Sequence, residues 1–136
     1  MLMIAIALFA IFALGLCAMG AKYCFGPVPA DYHLKIMGIS KSDLTPRQIT
    51  VFSAIYRVMG AGFFGLAIAV ASLSFFAVSL DLMWAKLTVL IAGLVAGIPA
   101  LRITYSIHKT TGVETPWKPA AAIVTILILA FILSVL

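Results

Sequence analysis

A chain of 136 residues in which 65% are apolar and only 10% charged is not built like a soluble domain, where roughly a quarter of residues carry charge. Its mean hydropathy of +1.24 agrees, and once the long apolar runs are set aside too little chain remains for a separate extramembrane core. The formal net charge of +5 does not signal nucleic-acid binding, because its sources flank apolar runs where anionic lipid headgroups are the nearest partners.

The first apolar run extends from Leu2 to Gly20. A helix rises about 1.5 Å per residue, so roughly 20 residues match a hydrocarbon layer about 30 Å thick. No Lys or Arg precedes the run, and it exceeds the roughly 7 to 15 apolar residues of a signal peptide. A retained span over residues 2–21 is therefore expected, although Ala18-Met19-Gly20 imitates a cleavage site. Leu16 is too large to precede a lipoprotein cysteine at Cys17. Cys17 and Cys24 can share a helix face, and on the reducing side of a membrane they are expected as free thiols.

Gly26-Pro27-Val28-Pro29 should end this helix. After it, Asp31 to Met37 can form about two turns lying in the headgroup layer, stopped by Gly38. Tyr32, Ile36 and Met37 are expected against lipid or protein, with His33 and Lys35 in water.

The second span is expected over residues 47–80, opening well before its apolar run at Val58. Thr45 suits the N-cap, Pro46 the first helical position and Gln48 the capping box, while Leu44 and Ile49 can close a hydrophobic staple. Ala54, Ala61, Gly65, Ala69 and Ser72 recur at helical spacing and line one face with small residues. The third span, over residues 82–106, carries a GxxxG step at Gly93 and Gly97, flanked by Ala92, Ala96 and Ala100. Only a few residues around Asp81 join these two helices, so their small faces are expected to meet, with a homodimer surface as the alternative. Pro99 removes the hydrogen bond to Val95 and should kink the third helix. The fourth span, over residues 117–136, follows Thr115-Pro116, a Thr-Pro start like that of the second helix and a faint hint of repeated helix pairs. It is expected to end at the far interface without a tail.

The expected fold is thus an all-α integral membrane protein: one domain over residues 1–136, four transmembrane helices in an antiparallel bundle, and a short interfacial helix between the first two. Lys22, Lys35, Lys41, Arg47 and Arg57 belong to the first connection or its edge, and Arg102, Lys109 and Lys118 to the third. Lys86 alone lies near the opposite face. By the positive-inside rule both termini should lie outside the cytoplasm and the two longer connections inside it, in a bacterial inner (plasma) membrane.

Arg57 and Arg102 hold the most functional interest. Each lies a turn or two inside the cytoplasmic edge with a tyrosine close by, Tyr56 and Tyr105, and an unpaired arginine costs about 2.5 to 3.5 kcal/mol at mid-bilayer, so both must snorkel or find acceptors. One account is anchoring to lipid phosphate. The other is a pocket for an anionic headgroup or a partner's carboxylate, formed by Arg57, Arg102, Tyr56, Tyr105, His108 and His33. For helix packing the candidates are Ala61, Gly65, Ala69, Gly93, Gly97 and Pro99.

His33 and His108 could in principle join Cys24, Asp31 or Glu114, but no close ligand pair supports a metal or haem, and no cofactor is expected. No nucleophile motif or phosphate loop points to an enzyme, and no carboxylate lies within a span for proton coupling. The arginine-rich motifs or CxxC pairs of small glutathione-handling and quinone-redox membrane proteins are missing, as is the membrane glutamate of small multidrug exporters. Three functions remain. The first is a non-catalytic module that assembles with itself or a larger membrane complex. The second is a small transporter or channel using Pro99, Arg57 and Arg102. The third is a protein that binds or modifies anionic lipids at the cytoplasmic headgroups.

Overall fold

The computed structural model describes residues 1–136 and contains only helices and turns. Helix α1 spans Leu2–Phe25, α2 Asp31–Met37, α3 Pro46–Phe76, α4 Met83–Thr111 and α5 Trp117–Val135, with 3-10 turns at Lys41–Asp43 and Val78–Leu80. All but α2 are long and apolar enough to cross a membrane.

Local sequence accounts for most boundaries. Gly26 donates to Lys22 O at 3.0 Å, and Pro27 then halts α1. Gly38 and Gly112 take left-handed conformations (φ +66° and +67°) that close α2 and α4. At the start of α3, Gln48 N donates to Thr45 Oγ1 (3.3 Å) and Thr45 N to Gln48 Oε1 (2.8 Å), the capping box anticipated from Thr45-Pro46-Arg47-Gln48. Helix α5 begins differently. Thr115 does not cap it; the hydroxyl turns inward and donates to Thr104 O of α4 at 2.7 Å, so the resemblance between the two Thr-Pro starts stops at sequence. Helix α4 runs unbroken through Pro99 and beyond residue 106. Its last threonines return their hydroxyls to the preceding turn, Thr110 to Ser106 O and Thr111 to Ile107 O, so a polar sequence remains helical up to Gly112.

The core follows one stripe of α1. Phe9, Phe12, Ala13 and Leu16 are buried at helical spacing, against Ala67 and Val70 of α3, Val89 of α4, and Leu127 and Ala130 of α5. Helix α1 packs extensively on both α3 and α5, and α5 on α4, whereas α3 and α4 touch only sparingly. Where α1 crosses α3, Gly20 and Gly60 allow close backbone approach: a Cβ on Gly60 would lie 2.8 Å from Cys24 N and 2.9 Å from Gly20 O.

This packing corrects one expectation. The small faces of the second and third spans do not meet. Gly93 and Gly97 of α4 instead receive α5, a Cβ on Gly97 falling 2.7 Å from Val124 Cγ2, and Gly93 also faces Phe12 of α1. Ala61, Gly65 and Ala69 of α3 are exposed, with nothing within 4 Å of the Cβ position at Gly65. The physical reason lies in α3 itself. Tyr56, Gly60, Ala67, Val70 and Ser74 form its buried stripe, and at 100° per residue the small residues fall on the opposite side. A short connection made the two helices neighbours in sequence without making them packing partners.

The far turn is held by an ion pair. Asp81 adopts a left-handed conformation (φ 61°) after the Val78–Leu80 turn. Lys86, only 3% exposed, donates to Asp81 Oδ1 and to Ser134 O, both at 2.5 Å. Its ammonium thus sits at the C-terminal end of α5, where unpaired carbonyls concentrate negative potential.

Candidate functional site

Polar side chains concentrate at the end of the molecule where α1 stops and α3 begins. Gly20 and Tyr23 continue the buried stripe of Phe9, Phe12 and Leu16, so Tyr23 is turned towards α3. There its ring meets Tyr56 edge-on (centroids 5.3 Å apart) and stacks on Phe63 (5.9 Å). The chain returning through Pro29 and Ala30 is buried and carries α2 onto these rings. Tyr56 Oη accepts a hydrogen bond from Ala30 N at 3.0 Å and also meets His33 Nδ1. Tyr23 and Tyr32 share a hydroxyl–hydroxyl bond of 3.1 Å. Three tyrosines and one histidine therefore join α1, α2 and α3.

The electrostatics follow from burial. Loss of water, the bond to Tyr23 and the neighbouring tyrosines raise the Tyr32 phenol above its ordinary range, so it stays protonated. Burial first, and the charge of Lys22 second, lower the His33 imidazole below its ordinary value. Lys22 Nζ stands 5.5 Å from the centre of the Tyr32 ring. The expectation that His33 remains in water is therefore corrected: it is half-buried and bonded to Tyr56. In the exposed turn that follows, Ser40 N and Oγ donate to Asp43 Oδ2 (2.7 and 2.8 Å), which depresses that carboxyl.

A second cluster joins α4 to α5. His108 Nδ1 donates to Val113 O at 2.9 Å, closing the turn, and Trp117 packs against Tyr105 and His108 (centroids 5.4 and 6.0 Å apart). The indole N–H of Trp117 is buried without a partner. Between the four long helices lies an apolar cavity of about 70 Å³, bordered by Phe12, Leu16 and Met19 of α1, Phe63 of α3, and Gly93, Gly97 and Ala100 of α4. Such a lining offers water no hydrogen bonds.

The six residues considered as one anionic site thus fall into separate settings. His33 and Tyr56 belong to the first cluster, Tyr105 and His108 to the second. Arg57 is exposed, although its carbonyl accepts the Cys24 thiol at 3.8 Å. Arg102 is exposed and lines an open depression with Ile98, Pro99, Ile103 and Ser106. Neither arginine has a carboxylate partner, the sole ion pair being Lys86 with Asp81. Both cysteines are free thiols, and no three His, Cys, Asp or Glu side chains converge.

Sequence reasoning passed over Tyr23 and underrated Lys86. The spacing Phe9, Phe12, Leu16, Gly20, Tyr23 already placed the tyrosine on the packed face of α1. Lys86, a lone cation in an apolar helix with Asp81 five residues before it, carried the signal that intramembrane charges seek partners. No protein-family model, curated protein or solved structure matches the chain, so its function is to be read from its own residues.

Proposed function

We propose that the protein is a small non-catalytic integral membrane module that assembles through the outer face of α3, with a second copy or with a larger membrane complex. In this reading the four long helices cross the membrane as an antiparallel bundle. The Lys- and Arg-bearing connections lie in the cytoplasm, both termini lie outside it, and α2 rests in the headgroup layer.

The observation that carries the reading is the uncovered small-residue face. Ala61, Gly65 and Ala69 line the side of α3 that no other part of the chain covers. In lipid no hydrophobic drive holds helices together, and such faces are where backbones of separate helices approach. Large apolar side chains such as Ile68, Phe75, Trp84 and Val95 are also exposed, at 57% or more, which suits a hydrocarbon surrounding. Native mass spectrometry of gently extracted protein tests the proposal. The wild type should appear as a homo-oligomer or in a heteromeric complex, and Gly65→Leu should release the monomer while the control Val95→Leu does not. A wild-type monomer under the same extraction would remove the assembly reading.

One observation favours a second reading, binding of anionic lipid. Arg102 stands without a carboxylate partner in a depression that also offers the Ser106 hydroxyl, and guanidinium groups bind phosphate bidentately. In the same spectra, a phospholipid retained by the wild type and lost from Arg102→Lys would support it.

A further inference from the structure

Helix α2 contributes no buried residue. Tyr32 packs against the Tyr23, Ala30 and Tyr56 cluster, and two side-chain hydrogen bonds, Tyr32 with Tyr23 and His33 with Tyr56, tie the helix to α1 and α3. The second is the more conditional. Tyr56 Oη already accepts from Ala30 N at 3.0 Å, so the pairing that satisfies its single proton is donation to His33 Nδ1 as the unprotonated nitrogen of a neutral imidazole. A protonated imidazole would aim an N–H at the same oxygen. That oxygen would then accept twice, and its own proton would lose the acceptor that His33 had supplied.

The surroundings give the imidazolium no compensation. From α1, Lys22 and Tyr23 face the cluster, with Lys22 Nζ above the Tyr32 ring, whose centroid is 4.0 Å from that of His33. From α3 come the Tyr56 hydroxyl and Arg57, whose side chain is exposed. On α2 itself, Asp31 and Lys35 are both exposed, and no carboxylate pairs with His33.

We propose that His33 is a pH-sensitive latch: neutral, it docks α2 on Tyr56, and protonated on mild acidification, it releases α2 to swing about Ala30. The lowered affinity of docked His33 for a proton has the matching sign. The undocked state binds more protons, so docking is complete above about pH 6.5 and is lost as the pH falls below that value. Release would uncover the Tyr23 and Tyr56 hydroxyls at the end of the α1–α3 pair. The latch is independent of the assembly proposed above.

Hydrogen exchange on the full-length protein in nanodiscs tests it, with amide protection corrected for the intrinsic effect of pH. Between about pH 7.5 and about pH 5, protection over Leu34 to Ile39 should fall by about tenfold or more, the factor for losing roughly one hydrogen bond, while the middle of α3 stays protected. In His33→Asn, which keeps an acceptor near the Nδ1 position but cannot titrate, the fall should vanish. Unchanged protection in the wild type, or an equal fall in the variant, overturns the proposal. Should His33→Asn leave α2 unprotected at every pH, the imidazole resonances of the wild type decide: their titration midpoint must coincide with the loss of protection, and a separate midpoint overturns the latch.

Discussion

Individual residues matter here where packing or charge leaves no slack, and two pairs expose this. Lys86 is buried while Asp81 lies largely in solvent (side chains 3% and 72% exposed). Removing the carboxylate leaves a buried ammonium with Ser134 O as its remaining partner, whereas removing the ammonium leaves an exposed carboxylate and an uncapped Ser134 carbonyl. Asp81→Asn, which still tolerates the left-handed turn, should cost about 1 to 2 kcal/mol after allowance for solvent screening, and Lys86→Met less. Unfolding in detergent micelles measures both, and the reverse order would show that the cap on Ser134 O outweighs the ion pair. The second pair is Gly60 and Gly65. A methyl at Gly60 would press on Gly20 O and Cys24, and overpacking of this kind costs about 1 to 3 kcal/mol. At Gly65 the space within the chain is open, and in the dissociated monomer alanine should instead stabilise the helix by about 0.4 to 1 kcal/mol. The same micelle unfolding series reads both, and equal effects would contradict the close crossing of α1 and α3.

At the scale of elements, the sequence was most legible where the signals were local. The capping box at Thr45 and Gln48, the glycine stop at Gly38 and the two turns from Asp31 to Met37 each depend on neighbours in the chain, and each appears where residue types put it. Pairing between helices was less legible. In a chain that is apolar on nearly every side, hydrophobicity does not mark the buried face. The small residues of α3 looked like a contact with α4, yet the aromatic and small positions Tyr56, Gly60 and Ala67 had claimed the opposite face for α1. The candidate site divided for a related reason. Residues at similar depth on different helices share a site only if their faces converge, and Tyr56 turns to α1 and α2 while Tyr105 turns to Trp117 of α5. His33 was misjudged because its partner lies 23 residues away, on another helix.

For the whole molecule, the central claim is that four helices cross a membrane with the basic connections on one side. It rests on four long apolar helices and on eight of the nine Lys and Arg falling at one set of helix ends. The proposed assembly through α3 and the proposed headgroup position of α2 both presuppose it. The most direct measurement is cysteine accessibility in intact cells, with Cys17→Ala and Cys24→Ala as the background and either Ser40→Cys or Leu82→Cys added. Leu82→Cys, at the far turn, should react with an impermeant reagent in intact cells, and Ser40→Cys only after the membrane is opened. The opposite pattern would invert the protein, and equal labelling of both positions without opening the membrane would contradict the spanning topology altogether.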